Sequence, residues 1–347
     1  MEILPISQLK RAAAEGRIEA RINAQIEALT RKDASNGKPY FEVTLADSEA
    51  KFSLKAWNDS PAFSFCERAN VGVFVEIAGD FSSSKFGIES NRWTVRELKT
   101  DERDTLLAGS PSLREKQAAD FAFIEQCVAS LIDPRLAALS RAFLVEFGDR
   151  FRRAAAARNN HHARRGGLAE HVAQMMRSAM AIAGVYPQLN RELLVAGVLF
   201  HDCGKMWENQ LPPEGFTMPY NETGELLGHI TIGIELVNTL WRKLTTCDEW
   251  KTWLPLDPAS EDVRLHLLHL IASHHGELQF GSPVVPKTPE AIALHYVDNL
   301  DAKLEMFAAA YANAKPLAAR IQEKVWPLPG NEVHPLGHFP APAASNR

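Results

Sequence analysis

Seven side chains of this 347-residue chain have the types and spacing of a metal site. His201-Asp202 ends the apolar run LLVAGVLF and is followed by Cys203-Gly204-Lys205, which puts two ligands where a buried helix stops at a glycine. His171 lies on the helical segment LAEHVAQMMRSAMAIA, beside the apolar positions Leu168, Val172, Met175 and Met176. His229 opens ITIGIELV, and His274-His275 closes LLHLIASHHG before Gly276. Asp298 falls inside the apolar pattern AIALHYVDNLDAKLEMF, where an ionised carboxylate is costly unless a cation or hydrogen bonds offset it. Five imidazoles and two carboxylates are enough ligands for two divalent ions. Asp202 can bridge them, with His171, His201 and Asp298 completing one and His229, His274 and His275 the other. A pair of ions about 3.5–4 Å apart acidifies water and neutralises charge on a phosphate during in-line displacement, so phosphoester hydrolysis is the matching chemistry.

The elements that must position these residues divide the chain. Residues 1–100 carry strand signals: Phe41, Val43 and Leu45 alternate with polar residues, as do Phe52, Leu54 and Ala56, and GVFVEIAGDF and RWTVREL follow. Asn36-Gly37 before the Tyr40-Phe41 strand suits a tight hairpin turn. About five short strands in this length predict a small β-barrel. Residues 101–111, charged and rich in Gly, Ser and Pro, read as a linker. From 112 to about 325 the period is helical, with Phe121, Ile124, Cys127, Val128 and Leu131 on one face. Residues 326–347 form a Pro-rich tail. The fold class expected is therefore α+β and multidomain.

Composition narrows the function classes without choosing one. A net charge of -5 excludes a general polycation, so a nucleic-acid contact needs a local basic patch. The four cysteines have no CxxC pair, which fits reduced thiols, and no apolar stretch of about 18 residues occurs. A cytoplasmic protein with no membrane partner is expected, and self-association stays open.

The ordered pattern H, HD, H, HH and D resembles the HD-domain phosphohydrolase superfamily. Locally, HHARRGGLAEH, LFHDCGK, LLGHITIG, SHHGELQFGSPVVPKTPEA and LHYVDNLDAK are similar to segments of the bacterial 3′-to-5′ exoribonucleases of the YhaM type, over about residues 15 to 312. That resemblance implies an OB-fold nucleic-acid-binding domain ahead of an all-α HD domain. It also implies divalent ions, manganese first and cobalt, iron, magnesium or zinc as alternatives, and hydrolysis of single-stranded RNA, or DNA, to nucleoside monophosphates. The glycine usual in the family's D-x-x-G hairpin is absent from Asp47-Ser48-Glu49-Ala50.

Asp202, His201 and Lys205 are the residues expected to carry the reaction, Lys205 as a point charge on the substrate phosphate. Arg164, Arg165 and the Gly166-Gly167 turn could hold another phosphate at the start of the His171 helix. Tyr40, Phe41, Trp57, Phe86 and Trp93, with Lys38, Lys55, Lys85 and Arg92, offer aromatic platforms and charge for a strand. His161 and His162 are candidate proton donors to a leaving oxygen. Cys203, His266, His269, His295, His334 and His338 are assigned to packing or solvent. Two other readings compete: an enzyme of the same superfamily acting on a small or cyclic nucleotide, and a non-catalytic nucleic-acid-binding protein with a structural metal site.

Overall fold

The computed structural model describes residues 3–84, 87–158, 162–314, 316–337 and 339. Lys85, Phe86, His161 and His338 lie outside the described residues. Helix α1 (Ile6–Glu15) is followed by strands β1 (Ile18–Asp33), β2 (Pro39–Ala46) and β3 (Lys51–Trp57), the short helix α2 (Phe63–Cys66), and strands β4 (Phe74–Ser84), β5 (Gly87–Glu89) and β6 (Trp93–Glu97). All pairings are antiparallel, in the order β3-β2-β1-β4-β5 with β6 also on β4. Inward alternation of Ile22, Ala24, Ile26, Val43, Leu45, Leu54, Ile77 and Phe81 buries one face and curls the sheet. Trp93, on β6, is buried in that core and its Nε1 donates to the Lys55 carbonyl on β3 at 3.1 Å, joining opposite edges. The barrel is OB-like in its half-barrel form, since among the described residues no backbone ladder joins β3 to β5 or β6.

Both expected turns are built by identifiable chemistry. Gly37 adopts φ +77° between β1 and β2, a conformation that favours glycine. Between β2 and β3 the turn closes without a glycine, on the Asp47 side chain. Its Oδ1 accepts the Glu49 and Ala50 N–H groups at 2.8 Å each, and its Oδ2 accepts the Ile6 N–H at 2.7 Å, tying the turn to the start of α1.

The stretch expected as a linker is largely helical. In α3 (Thr100–Ala108), Glu102 accepts the Lys99 N–H at 2.9 Å, so its charges serve a helix start. Helices α4 (Pro111–Ala129), α5 (Pro134–Arg153), α6 (Gly167–Val185), α7 (Arg191–Phe200), α8 (Lys205–Glu208), α9 (Glu222–Leu244), α10 (Ser260–Ser273) and α11 (Pro289–Asn313) then pack around one apolar core. Ser110, Asp133, Asn190, Asn221 and Thr288 cap α4, α5, α7, α9 and α11 through side-chain oxygens. The helical pattern stops at Asn313 rather than near 325. Beyond it lies a small antiparallel sheet of β7 (Pro316–Ala318), β8 (Ile321–Gln322) and β9 (Glu332–Val333).

One buried ion network fixes α6 against α4. The Glu170 carboxylate, with no exposed side-chain surface, accepts from Arg164 Nε and Nη2 (3.1 and 2.5 Å), Lys116 Nζ (2.7 Å) and Gln117 Nε2 (2.9 Å). Burial opposes its charge, but Arg164 above all, with Gln117 and Lys116, holds its pKa down at about 2. Glu170→Ala leaves Arg164 with Glu305 and Lys116 with Asp120 as their remaining carboxylates and should cost about 3 kcal/mol of stability, the low end for breaking a buried pair. Because the folded pKa lies below the unfolded one, the wild-type contribution is full above about 4.5 and disappears as pH falls toward 2. Urea melts of both proteins at pH 7 and pH 3 check this; a gap that does not shrink at pH 3 would be the wrong result.

Candidate metal centre

Helix ends deliver the imidazoles. His201 and His274 cap the C-termini of α7 and α10, and each ring turns its Nδ1 onto a carbonyl of its own last turn, Val198 O at 2.9 Å and Ile271 O at 2.8 Å. Those carbonyls would otherwise lack intrahelical partners. His275 Nδ1 reaches Phe280 O at 2.7 Å. A carbonyl can only accept, so these three rings carry their proton on Nδ1 and present an Nε2 lone pair. Carboxylates perform the same task elsewhere: Asp301 Oδ2 lies 2.7 Å from His171 Nδ1, and Glu208 Oε2 lies 2.6 Å from His229 Nδ1. His229 gains its position from Gly228, whose φ of +67° breaks α9 and directs the His229 N–H onto Glu208 Oε2 at 3.1 Å.

The Nε2 atoms gather around Asp202 as two groups. Asp202 Oδ2 lies 3.3 Å from His201 Nε2 and 3.7 Å from His171 Nε2, and Asp298 Oδ1 is 3.3 Å from the latter. Asp202 Oδ1 lies 3.4 Å from His229 Nε2 and 3.5 Å from His274 Nε2, and His275 joins these two histidines in a second triad whose ligand atoms lie within 4.8 Å of one another. Asp202 Oδ1, His229 Nε2 and His274 Nε2 are buried without a hydrogen-bond partner. Lone pairs of a carboxylate and two imidazoles facing one another repel unless a cation or proton lies between them, so this donor set fits divalent ions. All seven residues singled out in the sequence are thus brought together.

Electrostatics prepare the same groups. Burial disfavours charge on Asp202, yet Lys205 and His201 hold its carboxyl well below the usual range. Burial pushes His275 down to about 3, with His274 and His229 adding to it, and also lowers His229 against the pull of Glu208. His171 goes the other way: burial lowers it, but Asp298 and Asp301 outweigh that and raise it to about 9. Lys205 Nζ sits 2.8 Å from Asp202 Oδ2; burial opposes its charge, while Asp202 and Asp298 keep its pKa above the ordinary value.

Other expected roles change. Arg164 is committed to Glu170 and Glu305, and Arg165 to the carbonyls of Pro212, Pro213 and Gly215, so neither guanidinium has the open phosphate contact expected of it. The N–H groups of Gly166, Gly167 and Leu168 are likewise spent on Arg153, Arg164 and Ala154 carbonyls. Gly167 serves close packing instead, since a Cβ there would lie 2.0 Å from the His162 carbonyl oxygen. His162 is no surface residue: it is buried, with Nε2 3.0 Å from Asp301 Oδ2. His295 donates Nδ1–H to the His274 carbonyl at 2.9 Å and steadies that turn. Phe41 is core, packed on Phe63, whereas Tyr40 and Trp57 pair across β2 and β3 with ring centroids 4.8 Å apart and Lys55 Nζ within 6 Å of both.

The sequence reading omitted Asp301, Glu208 and Glu170. Asp301 had a signal, its spacing of three from Asp298 on one helix face; Glu208 and Glu170 had none beyond being acidic.

Residues 168–303, less than half of the chain, match the family described as the HD domain, and every residue from His171 to Asp301 discussed here lies inside that stretch. The second OB-fold domain of replication protein A from Methanococcus maripaludis is similar to 28% of this chain over 96% of its own length, at 16% identity and a TM-score of 0.21. Among the described residues no helix is long and apolar enough to cross a membrane.

Loading the site should release a proton. Below about pH 9 His171 holds one that a cation must displace, so affinity for Mn²⁺ should rise from pH 7 to pH 9 and then level off. Chelator competition across that range, with calorimetry in two buffers of different ionisation enthalpy, measures it; an affinity flat with pH would contradict the assignment.

Proposed function

We propose that this chain is a metal-dependent 3′-to-5′ exonuclease that hydrolyses single-stranded RNA, with DNA as second substrate, to nucleoside monophosphates. One observation carries the reading: the two oxygens of Asp202 face two separate imidazole groups, which suits a carboxylate that bridges two cations. His171, His201, Asp202 and Asp298 would hold one ion, and Asp202, His229, His274 and His275 the other, manganese being the first to try. When bound, such a pair supplies an acidified water and neutralises charge at the scissile phosphate.

The chain's own groups do the rest. Asp301 and Glu208 orient His171 and His229 through their Nδ1 atoms, and backbone carbonyls orient His201, His274 and His275. Lys205 keeps a buried positive charge beside Asp202, where charge develops on the phosphate oxygens. On the half-barrel, the Tyr40–Trp57 pair and Lys55 offer a stacking and charge platform, with stacking contributing roughly 1–3 kcal/mol per base.

The full-length protein, supplied with Mn²⁺, should shorten 5′-labelled single-stranded RNA from its 3′ end and release nucleoside monophosphates. Turnover confined to mononucleotides or cyclic nucleotides would favour the small-nucleotide reading, and no turnover of any of these would favour a binding protein.

Lys205→Ala is expected to keep its metal content yet lose about a hundredfold in turnover, the usual size of one removed charge-stabilising group. Elemental analysis beside kinetics checks both halves, and normal turnover would remove Lys205 from the reaction.

A further inference from the structure

A second cleft, of ≈ 440 Å³, lies over α4, between the C-terminus of α5 and the start of α6. Arg114, Gln117, Phe121 and Glu125 line it from one face of α4, with Arg152 of α5 and Gly166 opposite. It is separate from the metal centre. Ala169 of α6 faces the cleft and His171 faces the ions' site, and two residues along a helix are about 200° apart. The volume falls in the range of small-ligand sites.

The lining has a definite chemistry. Among the described residues neither Arg114 nor Arg152 is paired with a carboxylate, unlike Arg164, Arg135 and Arg96. Arg152 instead lies over the Phe121 ring, its Cζ 3.8 Å from the centroid, which leaves its N–H edge for an anion. Two guanidiniums without carboxylate partners match a phosphate, whereas the Phe121 ring is buried under Arg152 and against Phe151 and offers no stacking surface. Gln117 adds a link inward, because its amide already donates to the Glu170 carboxylate and the Arg165 carbonyl. The cleft also begins near the half-barrel: Ser110, the cap of α4 and one turn before Arg114, donates to Glu49 at 2.9 Å.

We propose that this cleft binds the phosphate of a nucleotide unit, held by Arg114 and Arg152, behind the helix that carries His171. That unit comes either from a free nucleoside monophosphate or from a strand passing between the half-barrel and the helical domain. Binding is read without turnover, so the proposal stands or falls apart from the exonuclease reading.

The test uses the full-length protein in chelator, titrated with adenosine monophosphate, inorganic phosphate and a short single-stranded RNA, against the Arg114→Ala/Arg152→Ala variant. Each lost charge-assisted contact weakens binding roughly tenfold. Loss for the mononucleotide identifies a free-nucleotide site; loss for RNA alone identifies a strand path. Equal affinities of both proteins for all three probes overturn the proposal. If the variant melts early, photocrosslinking of wild-type protein with 8-azido-adenosine monophosphate decides instead. Adducts on α4 or Arg152 support the cleft, and adducts confined to the metal centre, or none, overturn it.

Discussion

A carboxylate with almost no exposed surface, Asp202, sits at the end of a buried helix, and the arrangement of the helical domain follows from stabilising it. Taking an unpaired carboxylate out of water costs several kcal/mol, so the fold must bring compensating charge to it from several directions. Lys205 supplies that charge from the next turn at 2.8 Å and His171 adds to it from α6, while the Nε2 atoms of His201, His229 and His274 gather round the same carboxylate as ligand atoms for a cation. These helices therefore have little freedom to slide. A shift along any one of them would draw a ligand atom away from Asp202.

The ligand set would disperse if the rings could rotate, and the helix termini prevent that. An α-helix ends with carbonyls that have no partner inside it. His201 and His274 each take one of these, three residues back, and so lock the ring while satisfying the backbone. The same step that ends the helix fixes the imidazole. Where the histidine lies within or at the start of a helix, as with His171 and His229, no such carbonyl is open, and a carboxylate from elsewhere has to serve. Asp301 in turn needs His162 and Glu208 needs the break at Gly228. The two kinds of support differ in charge: a carbonyl is a neutral acceptor, while Asp301, with Asp298, draws a proton onto His171.

How far this was legible in the sequence follows from the same physics. Histidines next to helix-ending glycines, and an aspartate inside an apolar stripe, stand out because each is expensive unless it has a task, so all seven cluster members could be found before any coordinates. Alternation showed most of the strands, although β1, with Arg, Glu and Gln between its buried Ile and Ala positions, is longer than the signals that began at Phe41. Helix α3 was hidden because its composition is that of a linker and its capping interaction, Glu102 to Lys99, depends on one side chain. Glu208 and Glu170 were invisible for a different reason. Glu208 acts on His229, 21 residues away, and Glu170 joins Arg164, six residues back and so off the helical spacing, to Lys116, 54 residues away; no local pattern records such contacts.

Arg165 shows most plainly how a local reading goes astray. Next to two glycines and a helix start, it has the look of an anion site. Yet the loop between α8 and α9 contains Pro212, Pro213, Gly215 and Pro219, and such a segment cannot pair its own carbonyls by regular structure. Arg165 takes those of Pro212, Pro213 and Gly215, and Arg158 takes those of Glu208, Met218 and Pro219. From the half-barrel, Gln25 accepts the Phe216 N–H at 2.6 Å while donating to the Gly72 carbonyl, and the Phe74 ring packs edge-on to Phe216. The loop is thus fastened to both domains. It also begins at Glu208 and leads into the helix of His229, so the segment that orients one imidazole of the cluster is the same one that the half-barrel grips through Gln25 and Phe74.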